Sequence, residues 1–270
     1  MDINTQRLHL LVTKDLKENK KTYLMYVGTL LASSIIAVLL WVLGVWYGND
    51  NAVTPNILSR DIVILGVIIA AISGLFLHIA ISITFNPLNR RDKRLNYLLL
   101  PASLTEKFLS RLIITTSFAI ISLLVVILIT EAFSILLQML LFGTSASIII
   151  ETLKLPNWGE LFIYTDYLNN NTHYLNPLLP HLLFQYSVYL LGSAIFRKNA
   201  FVKTVIAFTV FYAVVATVGI IVGDLDLLFL YISPNNIWFF ILLALTSFNI
   251  WFSHRLFCKT YVTGFHILGK

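Results

Sequence analysis

Glu131, Ser134 and Gln138 recur at i, i+3 and i+7 inside a long apolar run, so a helix there carries a carboxylate, a hydroxyl and an amide on one stripe. An ionisable group in such a run is costly to bury and by default marks a function, either proton exchange or contact with a polar solute. Counted from Arg111, Glu131 stands about twenty residues along the helix, roughly 30 Å, which places it near the outer boundary of a bilayer and makes a capping role as reasonable as solute contact. His78 with Ser82 and Asn249 with Ser253 are further pairs at i,i+4. Glu131, Gln138, His78 and Asn249 are the residues from which a substrate path would be built, although a hydrogen bond between helices, worth about 1 kcal/mol, is the simpler expectation for each.

Other chemistries lack their residues. No His-Glu-x-x-His metal site, no Gly-x-Ser-x-Gly elbow and no paired acidic motif occurs in the apolar runs, so the chain is not expected to be an enzyme. His9, His173, His181, His254 and His266 are scattered, and Cys258 is the only cysteine, which excludes an intrachain disulfide or a thiolate metal cluster. There is also no Gly-x-x-x-x-Gly-Lys-Ser/Thr phosphate loop.

The elements that position these residues are membrane spans. Of the 270 residues 58% are hydrophobic and only 12% charged, with mean hydropathy +0.83, whereas soluble domains carry about a quarter charged residues. Six apolar runs are long enough to span, at about 24–47, 62–85, 112–142, 178–196, 201–222 and 237–257, which predicts an all-α integral membrane protein. The third is longer than needed and should tilt or project. Seventeen of the 19 lysines and arginines fall in the termini and alternate connections, leaving Arg60 and Lys154 on the other side. An even number of spans with both termini cytoplasmic follows, and the +6 net charge serves orientation rather than nucleic-acid binding. Asp50, Asp61, Glu151, Glu160, Asp166, Asp224 and Asp226 fall on the outer side. Trp41, Trp46, Tyr47, Trp158, Trp238 and Trp251 lie mostly near span ends as interfacial anchors, and Gly28 with Ala32 makes a small-residue notch. Residues 143–177 form the one long outer segment, expected as an irregular cap with a short helix or two; it includes the triplet Asn170-Asn171-Thr172.

Two cytoplasmic segments stand out. In residues 1–23, Leu8, Leu11, Val12 and Leu16 recur at helical spacing opposite Lys14, Asp15, Lys17 and Glu18, which predicts an amphipathic helix in the headgroup layer leading straight into the first span. Residues 86–111 join spans two and three. There Arg90, Arg91, Asp92, Lys93, Arg94, Asn96 and Tyr97 offer charge, amides and a ring on one compact element suited to a groove on a soluble partner. Pro101 breaks what precedes it, and Ser103 with Glu106 is a capping box, so a helix should begin near Leu104 and run into the third span.

The run Asn96-Tyr97-Leu98-Leu99-Leu100-Pro101-Ala102-Ser103, with Glu106-Lys107-Phe108 and Ser110-Arg111, resembles the segment after the second span in type-2 permeases of ATP-binding-cassette (ABC) exporters, particularly Bacteroides-like bacterial members. Layout is similar along the whole chain and detail over about sixteen residues. The resemblance implies a permease subunit of the bacterial cytoplasmic (inner) membrane that moves an amphipathic substrate, a lipid, peptide or toxic compound. It implies that Arg90 through Leu100 docks on a separate ATPase subunit, which would carry the ATP and Mg, and that the chain pairs with itself or a similar permease. One feature departs from the family: its largest extracellular element lies between spans five and six, where this chain has only residues 223–236. The alternative is a motor-free membrane protein, either a proton-coupled carrier using Glu131 or His78 or a scaffold subunit.

Overall fold

The computed structural model describes residues 5–48, 55–85, 97, 99–153, 163–166, 172–175, 178–196, 198–222 and 236–263. Seven helices and one strand pair occur among them: α1 Thr5–Gly48, α2 Pro55–Ser82, α3 Leu104–Phe142, α4 Ile148–Leu153, β1 Ile163–Asp166, β2 Thr172–Leu175, α5 Leu178–Ile195, α6 Ala200–Val222 and α7 Asn236–Thr263. Four helices are long and apolar enough to cross a membrane, within Thr5–Tyr47, Asp61–Ser82, Leu104–Phe142 and Phe239–Lys259, and Ala200–Val214 is a shorter apolar helix. The chain is therefore a multi-pass, predominantly helical membrane protein. It is not purely α: β1 and β2 pair antiparallel, Ile163 opposite Leu175 and Asp166 opposite Thr172. The segment expected as an irregular cap thus contains one short helix and a hairpin ladder, and Asn170 and Asn171 of its Asn-x-Thr triplet lie outside the described residues.

The amphipathic leader and the first span are one unbroken helix of 44 residues. One residue of the side expected to be polar, Asp15, is placed otherwise. Leu11, Asp15 and Asn19, spaced i,i+4, are buried, whereas Leu10 and Leu16 are exposed. Asn19 uses its Nδ2 to donate to the Asp15 carbonyl at 3.1 Å.

Two compact units divide the chain. The first comprises Met1–Leu11, Ile81–Leu112 and Asn157–Lys270. Its core joins Leu11, Ile81, Phe85, Tyr97, Phe108, Leu190, Ala194, Leu256 and Phe257. Phe85, Phe108 and Phe257 form a triangle of rings with centroids 5.2 to 5.7 Å apart, a geometry that adds about 1 kcal/mol per pair beyond burial. Within this unit α5 packs along α7 and against α6, and β2 touches α7. A Cβ at Gly192 of α5 would lie 1.8 Å from Thr204 Oγ1, so only glycine lets α6 come this near. Asn199, with φ of 53°, makes the left-handed turn between them.

The second unit comprises Val12–Ala80 and Ile113–Pro156. One cluster holds Leu30, Phe76 and Val126; another holds Val38, Val42, Ile62, Leu65, Ile69 and Ile148. Gly143, at φ +68°, closes α3 with its N–H on the Met139 carbonyl at 3.2 Å, the αL ending that glycine permits.

Candidate functional site

Two constellations gather the residues that the sequence singles out. The first surrounds the connection between α2 and α3. The capping box forms: Ser103 N–H donates to Glu106 Oε2 at 2.7 Å, and Glu106 N–H donates to Ser103 Oγ at 3.1 Å. Glu106 is 1% exposed, so its carboxylate is committed to starting α3 at Leu104. Ahead of it, the Leu100 N–H reaches the Tyr97 carbonyl and the Ala102 N–H the Leu100 carbonyl, a tight turn carrying exposed Pro101.

Tyr97 locks this turn onto the helix. Its hydroxyl donates to the Lys107 carbonyl at 2.9 Å and lies 3.0 Å from Ser110 Oγ, while the Arg111 guanidinium sits 4.9 Å above its ring. Lys107, Ser110 and Arg111 are themselves buried. On the other side, Phe85 ends α2 fully buried, behind a turn in which Thr84 N–H and Oγ1 both donate to the Ile81 carbonyl. Phe85 and Tyr97 belong to the same core cluster. Arg90, Arg91, Asp92, Lys93, Arg94 and Asn96 lie outside the described residues, but the residues on both flanks are fixed to one hydrophobic core that α5 and α7 share.

The second constellation is a polar clamp at the far end of α3. Glu131 accepts through one carboxylate oxygen from the Ser147 hydroxyl and through the other from the N–H groups of Ile148 and Ile149, at 3.1 and 3.4 Å. Gln138, fully buried, donates to Ser134 Oγ at 2.8 Å and accepts from the Ala146 N–H at 2.8 Å. The stripe read from i, i+3 and i+7 spacing is real, and what it holds is the chain itself: it satisfies the backbone donors of Ala146, Ile148 and Ile149 as the chain turns back from Gly143 into α4. Thr152 of α4 then seats against Gly66 of α2, where a Cβ would come within 2.0 Å of its hydroxyl.

The neighbours of α3 set the level of Glu131 along α1. Ring contacts pair Tyr23 with Phe118 at 4.5 Å and Trp46 with Phe142 at 6.1 Å, and Leu30 shares a cluster with Val126, so α1 and α3 run in parallel at one constant offset. That offset sets Glu131 level with about Ile35, the middle of the apolar run from Leu24 to Tyr47.

The remaining two residues act within their own surroundings. His78 directs Nδ1 to the Gly74 carbonyl of its own helix, and Asn249 donates from Nδ2 to Ser187 Oγ at 3.0 Å, joining α7 to α5. The pairing of Asn249 with Ser253 is indirect: the Ser253 hydroxyl turns to the Asn249 carbonyl. No group of three or more histidine, cysteine, aspartate or glutamate side chains able to hold a metal occurs among the described residues. Gly66, Thr152 and Ser147 are the site residues that sequence reasoning missed; a glycine amid the bulky residues of α2 was the available signal. No family model, curated protein or solved structure matches this chain.

Proposed function

We propose that the chain is the membrane permease subunit of an ABC exporter, with six spans and cytoplasmic termini in a bacterial cytoplasmic membrane. A separate ATPase subunit, carrying ATP and Mg, would dock on residues 90–100, and the assembly would pair this chain with a second copy or a similar permease to move an amphipathic substrate. The observation that supports the coupling role is the shared anchorage of the basic segment. Phe85 and Tyr97 enter one core with Phe108, Leu190 and Phe257, so a push on the stretch between them is carried to α3, α5 and α7 together. A connection serving orientation alone would need the charges but not this anchorage.

In this conformation both oxygens of Glu131 are engaged by Ser147 and by the α4 backbone, so a carrier using Glu131 would first have to open that clamp. The test is retention of a soluble ATPase on the tagged chain purified from its source cells in gentle detergent, the ATPase being identified by peptide mass spectrometry. Alanine at Arg90, Arg91, Lys93 and Arg94 together is expected to cut retention by about tenfold or more. Undiminished retention removes the docking claim, and full transport by nucleotide-free vesicles removes the exporter.

A further inference from the structure

The turn after Gly143 and the helix α4 occupy a place that a surface loop would not. The offset between α1 and α3 puts Phe142 beside Trp46, the end of the first apolar run, and puts Glu131 near that run's midpoint. Glu131 is eleven residues below Phe142, or roughly 16 Å at 1.5 Å per residue. Yet Glu131 takes its hydrogen bonds from Ser147, Ile148 and Ile149, residues that follow Phe142. The chain therefore returns about half the thickness of the apolar layer, and Ile148 is buried with Val38, Val42, Ile62, Leu65 and Ile69 from the same depth of α1 and α2. Non-helical backbone survives at such depth only where protein or water satisfies it, and the Glu131 and Gln138 acceptors supply that need.

A polar layer lies at the level this element reaches. Ser34 and Thr130 share the same offset, sit between the two apolar clusters of the unit, and are each 1% exposed with a hydroxyl that has no hydrogen-bond partner. Ser122, Ser193, Thr204, Thr246 and Ser253 turn their hydroxyls back onto their own helices, whereas Thr144 and Thr152 of the returning segment, like Ser34 and Thr130, bury hydroxyls without a hydrogen-bond partner. An unsatisfied buried hydroxyl costs about 1–3 kcal/mol, so two at one level indicate a place for a polar guest. Ser134 and the Glu131 carboxylate stand next along α3, so the layer presents side-chain oxygens from four residues, one of them a carboxyl group.

We propose that residues 143–153 form a re-entrant gate, closed in this conformation over an acceptor-rich layer at mid-membrane whose guest is a donor-bearing, cationic group. Opening frees Glu131 of its three donors and gives the layer a route to the side on which α3 ends. The proposal rests on the multi-pass membrane character of the chain and is independent of the identity of any motor.

Depth is measured first, on the full chain in nanodiscs with Cys258→Ser. A bimane on Ile150→Cys, an exposed position of α4, is expected to be quenched most by nitroxides placed mid-chain on phosphatidylcholine. Strongest quenching by a headgroup nitroxide overturns the re-entrant placement. Gating is measured by labelling Ser134→Cys with a trimethylammonium methanethiosulfonate, which reaches both faces of a nanodisc. Gly66→Val, which evicts Thr152 from its seat, and independently Thr152→Trp, are expected to raise the rate about tenfold or more, one factor of ten corresponding to about 1.4 kcal/mol of opening. Unchanged rates in variants whose bimane quenching has shifted overturn the gate. In the opened variants the cationic reagent should outpace its sulfonate analogue beyond their ratio on a free thiol; equal normalised rates overturn the cationic guest.

Discussion

Tyr97 is the residue on which the anchorage of the basic segment turns, and two substitutions separate its hydroxyl from its ring. Tyr97→Phe removes the donor to the Lys107 carbonyl and the contact with Ser110 Oγ. Nothing is orphaned, because the Ser110 hydroxyl still donates to that same carbonyl at 3.0 Å. The loss is therefore that of a net hydrogen bond, about 1 kcal/mol, a five-fold change in an unfolding equilibrium. Tyr97→Ala also empties a site that is 3% exposed and removes the ring under the Arg111 guanidinium. Cavity formation puts its cost at about 3–5 kcal/mol, with up to about 1 more from the cation–π contact. Steric trapping in micelles, which gives unfolding free energies for membrane helices, is a suitable assay, read beside retention of the ATPase. The alanine variant should lose both stability and retention, the phenylalanine variant little of either. Equal costs for the two, or an alanine cost below about 1 kcal/mol, would refute the view that this ring fastens the connection to the core.

Two further outcomes test the contacts between helices. Asn249→Leu should cost about 1 kcal/mol by the same unfolding assay, since it removes the bond to Ser187 Oγ while the Ser187 hydroxyl keeps its own partner, the Phe184 carbonyl; a cost above about 3 kcal/mol would mean that Asn249 does more than join α7 to α5. Gly192→Ala should destabilise by about 1–3 kcal/mol through contact with Thr204, and Thr204→Ala in the same chain should recover most of that loss. Additive costs would show that the two residues do not share the contact.

The sequence predicted the long elements well because their signals are local. Apolar runs mark the helices, and Ser103 with Glu106 marks the start of α3 to the residue. What it hid depends on distant partners. The bond between helices expected for Asn249 is made, but its partner, Ser187, lies 62 positions away on α5 and was not legible in the sequence. Asp15 read as part of the polar face of the leader, yet it is buried with Leu11 and Asn19, a placement that spacing along one helix does not reveal. The hairpin of β1 and β2 escaped notice for another reason: two four-residue strands carry too little periodicity to be distinguished from loop.

The polar residues of α3 show why composition along a single span is a poor guide to what that span does. Lipid gives no hydrophobic drive for helices to associate, so association relies on close backbone approach and on polar contacts. Gly66 under Thr152 and Gly192 beside Thr204 supply the first, and both place a threonine against a glycine of the neighbouring helix. Glu131 and Gln138 supply the second, Glu131 to the first turn of the short helix α4 and Gln138 to the backbone just ahead of it. A carboxylate meant only to be read by water would not need three donors aimed at it from beyond the helix end, and a packing glutamine would not need to accept from Ala146 N–H. Their joint presence makes sense where exposed backbone must be brought into an apolar layer, and the same need explains why α3 continues for 39 residues: its last three turns form the wall against which the returning chain is held.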